Sequence, residues 1–314
     1  MSSVHYQLRI KGLQEPNGKI SVRALTQLLI GITDCAERGL RLAIEGASVK
    51  SGRPPSWLEK AVDLTFAGVR SGSTVLEIEA PTLGEVIGEE LHQQDFWTKP
   101  PATSDTALSI FSRSVRDTTA EDVESEYYDS GVLRGLLALK TFFRNEAASV
   151  ELVASGRPEE NVKITMSEME KAERLKVRTP DPQAFIVSGH LDAIKHTRKR
   201  FELVLPNGSS MPGRVDEEFI TAEELRDYWG KDVTIKGIVF FKPSGRIQLI
   251  SAQLIKSQSA GDEVFAELPT VQSEAEFVTS ALQKTEKKDW GKEIWDKWPG
   301  DESIEDLLSE LKRR

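Results

Sequence analysis

The hydrophobic pattern opens as a strand, breaks at a turn and resumes as a long helix. From His5 to Ile10 apolar and polar residues alternate, with Tyr6, Leu8 and Ile10 on one face, and Glu15-Pro16-Asn17-Gly18 interrupts the pattern. Ser21 then stands as an N-cap ahead of Leu25, Leu28, Leu29, Ile32, Cys35, Ala36, Leu40 and Ala43, which recur at threes and fours. After SGRPPSW, a loop by its Gly and Pro content, residues 61–66 and 73–79 read as two strands of a hairpin turning around 70–73. Helices are expected over about 105–116 and 129–147, strands over 150–154 and 161–165, and a short helix capped by Ser167. Strands that come in neighbouring pairs between helices predict an α+β domain over residues 1–177, not a doubly wound sheet.

Arg178-Thr179-Pro180-Asp181-Pro182 marks the clearest boundary, because two prolines in three residues interrupt both a helix and a central strand. Beyond it the period is that of strands, at 184–194, 200–205, 232–241 and 246–254, with turns at Pro206-Asn207-Gly208 and Pro243-Ser244-Gly245. Thr221 followed by Glu224 is a capping box for a short helix ending before Gly230. Two strands, a helix and two strands predict a small OB-like β-barrel over 183–256. Residues 257–272 are polar and lose periodicity, as a linker does, and 273–314 read as a helical interaction tail.

Charge changes the picture more than composition does. The net charge of −9 gives the whole chain no general attraction to nucleic acid or anionic membranes. Yet residues 184–256 hold 11 Lys+Arg against 9 Asp+Glu, while 257–314 hold 8 against 14, so the acidity lies outside the barrel segment. The start, MSSVHYQLRI, lacks the apolar stretch of a secretory signal, and no apolar run is long enough for a bilayer. A single cysteine, Cys35, allows neither an internal disulfide nor a thiolate metal cluster. A cytoplasmic location is expected.

Little in the chain speaks for catalysis. There is no Gly-Lys-Ser/Thr phosphate loop and no Gly-x-Ser-x-Gly elbow, and adjacent acids such as Glu89-Glu90 and Glu159-Glu160 point to diverging faces. His190, Asp192 and His196 are the best metal candidates, but alternation on a solvated strand face accounts for them better, so neither metal nor cofactor is expected. The dense basic run contributes Lys195, Arg198, Lys199 and Arg200, which on an OB-like barrel would follow a phosphate backbone, with Phe201, Tyr228 or Phe240 to stack on bases. The competing reading is a solvated hairpin tip beside core aromatics.

The chain closes with WDKWPGDESIEDLLSELKRR. Pro299-Gly300 turns it, Asp301 or Ser303 can cap a helix, and Ile304, Leu307, Leu308 and Leu311 fall on one face. So short a helix needs a surface to pack on, its own protein's or a partner's. The Trp298-Pro299-Gly300-Asp301-Glu302-Ser303 run, with the leucines after it, resembles the C-terminal signature of antitoxins that accompany PIN-domain ribonuclease toxins. The resemblance implies a non-catalytic protein whose tail wraps the toxin and blocks its acidic active site. Trp298, preceded by Trp295, would then be an anchor, the Ile304 to Leu311 stripe would fill a groove, and Lys312, Arg313 and Arg314 would meet the carboxylates. It covers only the tail; familiar antitoxins begin with a compact DNA-binding domain, and residues 1–290 do not match one. The alternative is a nucleic-acid-binding protein that uses its barrel, with the tail packed in cis.

Overall fold

A computed structural model of the protein describes residues 2–14, 19–50, 52–70, 74–91, 101–195, 200–216 and 218–267. Two sheets organise them. The first is antiparallel, in the order β2-β3-β1-β4-β5, from β1 (Ser3–Lys11), β2 (Thr65–Val69), β3 (Val75–Pro81), β4 (Ser149–Ala154) and β5 (Val162–Thr165). Alternation along β1 buries Tyr6, Leu8 and Ile10, which sit in register with Ile78 and Leu76 of β3 and with Val150 and Leu152 of β4. Helices cover this apolar face: α1 (Val22–Glu45), α4 (Ala107–Ala120), α5 (Ser130–Leu137) and α7 (Met166–Arg178) share one core with it. The other face carries Gln7, Arg9, Glu77, Glu79 and Glu151, as a one-sided antiparallel sheet requires.

The helix ends follow from their caps. Ser21 accepts the Ala24 amide at the start of α1, and Thr106 forms a reciprocal box with Ser109 at the start of α4. Helix α7 is capped by Thr165 with Glu168, not by Ser167. The segment expected to be a strand at 61–66 divides, because α2 (Ser56–Ala61) runs through Ala61 and only from Thr65 does the chain extend into β2. The single helix expected over 129–147 is two, α5 and α6 (Lys140–Asn145). A further helix, α3 (Leu83–Leu91), follows β3.

The second sheet closes into a five-stranded barrel in the order β10-β8-β7-β6-β9. Its strands are β6 (Gln183–Lys195), β7 (Arg200–Val204), β8 (Ser210–Val215), β9 (Asp232–Phe241) and β10 (Ile247–Ser257). Closure runs through β8 and β10, which pair in parallel from Gly213 opposite Ile250, whereas the other neighbours are antiparallel. Helix α8 (Ala222–Arg226) lies between β8 and β9 in sequence, carries the capping box of Thr221 and Glu224, and inserts Leu225 into the barrel core. Val187, Leu191, Phe201, Leu203, Val233, Ile235, Val239 and Ile250 fill the rest. Phe201 fits only because its neighbour is Gly213, where an added Cβ would lie 2.2 Å from the ring.

Within 257–272, residues to 267 are described, and there a 3-10 turn at Asp262–Phe265 is fastened to the barrel. Asp262 accepts from Thr234 Oγ1 at 2.9 Å and from the Ser259 amide at 3.0 Å, and Lys256 reaches it at 3.1 Å. The tail at 273–314 lies outside the described residues.

Candidate functional site

Where the barrel meets the α+β module the described residues enclose a cleft of about 760 Å³, walled by the end of α1, the following loop to Pro55, the start of α5 and strands β8, β9 and β10. Its α+β wall is set by two termini. Gly46 ends α1 in the left-handed conformation (φ 79°), a turn that glycine takes without a Cβ penalty. Asp129 then pins the next loop to α5: one carboxylate oxygen accepts the Ser48 amide at 3.0 Å, and the other accepts Ser48 Oγ at 2.6 Å and the Gly131 and Val132 amides at 2.9 Å each. Both oxygens are thereby engaged, and the amides at the start of α5 are satisfied within the protein.

The barrel supplies the opposite wall and two direct ties. Arg200 is buried at the start of β7 and donates from Nε to the Glu45 carbonyl at 3.3 Å. Helix α1 has no basic residue in its own last turn, so the cation that its C-terminal dipole favours comes from the barrel. The β9–β10 turn sits on the turn after α4, with Lys242 Nζ donating to the Glu124 carbonyl at 2.7 Å and Arg246 reaching the Glu124 carboxylate at 3.3 Å.

Charge in the cleft is unevenly neutralised. Arg41, Lys50, Arg53, Arg134 and Arg214 line it, against Glu45, Asp129, Asp216 and Glu218. Arg41 pairs with Glu45 at 3.1 Å, and Arg53 reaches Glu59 at 3.4 Å. Arg214 differs. It is half-buried, its Nε donates to Ser251 Oγ at 3.3 Å, and its guanidinium lies 5.9 Å from the centre of the Phe240 ring. Among the described residues it makes no ion pair; the Glu45 and Asp216 carboxylates act on it only through space, and burial lowers its pKa. An arginine remains protonated at neutral pH even so. A cation drawn out of bulk water beside an open cleft, without a carboxylate in contact, is a place where an anion is welcome.

The residues singled out by sequence are dispersed. Lys195 ends β6, Arg198 and Lys199 lie outside the described residues, and Arg200, grouped with them by sequence, is buried against α1. Phe201 is in the barrel core and Tyr228 packs against it, so of the three aromatic candidates Phe240 is the one that faces the cleft. His190 Nδ1 lies 2.9 Å from Asp232, the Asp192 carbonyl accepts from Trp229 Nε1 at 3.0 Å, and His196 is outside the described residues. No group of three or more His, Cys, Asp or Glu among the described residues could hold a metal ion, and no described helix is long and apolar enough to cross a membrane. Trp295, Trp298, Ile304, Leu307, Leu308, Leu311, Lys312, Arg313 and Arg314 all lie outside the described residues. Sequence reading missed Arg41, Arg134 and Arg214. In β8 Met211, Gly213 and Val215 point inward, which turns Arg214 outward, but the sequence predicts no strand there.

The chain matches no known family model, and comparison with curated proteins and with solved structures likewise gives no match.

Proposed function

We propose that the protein acts by binding, without catalysis, and that its barrel is an OB-like module for single-stranded nucleic acid. The observation that carries the reading is the strand arrangement: a five-stranded barrel closed by one parallel pair, with a helix between its third and fourth strands. On such a barrel the basic residues that follow β6 in sequence, Lys195, Arg198 and Lys199, are the ones that would track a phosphate backbone. Cys35, buried with its thiol pushed up in pKa by that burial, suits a reducing cytoplasm. The test is fluorescence anisotropy with a labelled single-stranded oligonucleotide of about a dozen residues, titrated at several salt concentrations. Replacing Lys195, Arg198 and Lys199 together by Ala should flatten the salt dependence by up to about three phosphate contacts. Absence of binding by the intact protein at low salt would refute the reading. Arg200 is left out of the substitution because it supports α1.

A second reading rests on the Trp298-Pro299-Gly300-Asp301-Glu302 run and the leucine stripe after it. It makes the tail the inhibitory segment of an antitoxin-like protein bound to a PIN-domain ribonuclease. Buried aromatic and aliphatic anchors commonly carry about 2 kcal/mol each, so Trp298→Ala and Leu308→Ala should each weaken inhibition more than tenfold, while Glu310→Ala leaves it unchanged. If deletion of 295–314 lowers the melting temperature by many degrees yet spares nuclease inhibition, the tail packs on its own protein.

A further inference from the structure

We propose that the cleft between the barrel and the α+β module is a binding site for a phosphate-bearing ligand of nucleotide size, with Arg214 as its central anion ligand and Arg134 and Arg41 beside it. The proposal deepens the nucleic-acid reading, on which the choice of a nucleotide rests, but its residues are other than Lys195, Arg198 and Lys199.

Donor supply comes first. A guanidinium presents five N–H donors in a fixed fork that matches phosphate oxygens two at a time. Arg214 spends one of them, on Ser251, the one side-chain hydrogen bond it makes among the described residues. Phe240 beneath and Ser251 beside it fix the direction of the side chain, so the fork is aimed before a ligand arrives. Arg134, on α5, is exposed and its side chain makes no hydrogen bond or ion pair with any described residue, while Arg41 spends its Nε on Glu45. Three arginines from three separate elements, α1, α5 and β8, thus border one cavity.

The carboxylates of the lining do not cancel this supply. Asp129 has both oxygens engaged with Ser48 and the start of α5, and Glu45 is paired with Arg41. The Asp216 carboxylate accepts the Glu218 amide at 3.3 Å within its own turn. Neither these three nor the exposed Glu218 carboxylate contacts Arg214. A cavity of about 760 Å³ falls inside the range of about 300–1,000 Å³ typical of small-molecule sites. That is more room than a lone inorganic anion needs, and Phe240 and Leu249 give the remainder an apolar lining suited to a base or sugar. The phosphate could belong to a free nucleotide or to the end of a strand, and both present the same group to Arg214.

The test uses the full-length protein and isothermal titration at low salt with adenosine monophosphate, uridine monophosphate, adenosine, and a pentanucleotide with and without a 5′-phosphate. The expected result is that phosphate-bearing ligands bind and adenosine does not. Arg214→Gln should weaken binding at least tenfold, and the exposed Arg134→Gln severalfold with an unchanged melting temperature. Binding of the monophosphates without the pentanucleotide would assign the site to free nucleotides, and binding of the 5′-phosphorylated pentanucleotide would assign it to strand ends; either supports the site. Pentanucleotide binding that ignores both the 5′-phosphate and Arg214→Gln would overturn the cleft proposal and leave the barrel reading standing. Monophosphate binding that depends on Arg214 and Arg134, with no oligonucleotide binding at all, would do the reverse. Equal binding of adenosine and its monophosphate, or no binding of any of them, overturns the proposal outright. Should Arg214→Gln fail to fold, Arg134→Gln and the phosphate dependence decide it alone.

Discussion

Replacing Gly46 by Ala should cost the protein about 3 kcal/mol, most of it through a residue on the other module. Gly46 holds φ at 79°, and placing an L-residue there costs about 1 kcal/mol in backbone strain. The new Cβ would also lie 2.4 Å from an Arg200 terminal nitrogen, closer than side chains approach, so the guanidinium must move. When it moves, the 3.3 Å bond from Arg200 Nε to the Glu45 carbonyl is lost, at about 1.5 kcal/mol for a bond from a charged donor. The cation at the end of α1 goes with it, worth about 0.5 kcal/mol more. Urea unfolding followed by circular dichroism measures the sum, and a double-mutant cycle dissects it. In an Arg200→Ala background only the strain should remain, so Gly46→Ala there should cost about 1 kcal/mol, giving a coupling of about 2 kcal/mol. Additive costs would refute the argument, because they would mean that Arg200 does not sit against Gly46 in solution.

Two further expectations concern single buried groups. Tyr6→Phe removes the hydroxyl that donates to Glu160 at 2.7 Å and also meets Thr106, leaving a buried carboxylate short of a donor; a loss of about 2 kcal/mol is expected, read as a fall of several degrees in melting temperature. Asp262 is held well below the usual carboxylate range by hydrogen bonds from the Ser259 amide and Thr234, so the stability it contributes is fully present above the unfolded-state pKa of about 3.9 and is lost as pH falls toward its lower folded value. The advantage of the wild-type protein over Asp262→Asn in thermal melts should therefore be constant from about pH 7 to 5 and shrink below about pH 4; an advantage that grows on acidification would contradict this assignment.

What the sequence disclosed was what depends on local periodicity. The alternation of Tyr6, Leu8 and Ile10, the long stripe of α1 behind Ser21 and the box of Thr221 with Glu224 each specify an element by themselves, and each is found. Strand β8 is absent from the strands the sequence predicts, because Pro212 and Gly213 both disfavour a strand interior. Proline is tolerated there because the ladder to β10 begins only at Gly213, so the missing amide breaks no bond of that pair. The candidate cleft escaped for a different reason. Arg41, Arg134 and Arg214 belong to three elements, and no spacing rule relates them; only the packing of barrel on helices does. Arg200 shows the same limit from the other side, since its sequence neighbours are basic but its spatial neighbour is the end of α1.

The parallel pairing of β8 with β10 also sets an order of assembly. Every strand of the first sheet has left the ribosome once Thr165 has, and that module can begin to fold while its successor is still being translated, as N-terminal domains do. The barrel has no such freedom, because its last strand is bonded to both β8 and β9 and the ring stays open until residues near Ser257 are made. Arg214, Phe240 and Ser251 reach one another only at that closure. The cleft therefore matures only with barrel closure, and a chain released before β10 would carry a folded first module with no cleft. Occupancy of that cleft would report that synthesis had passed β10.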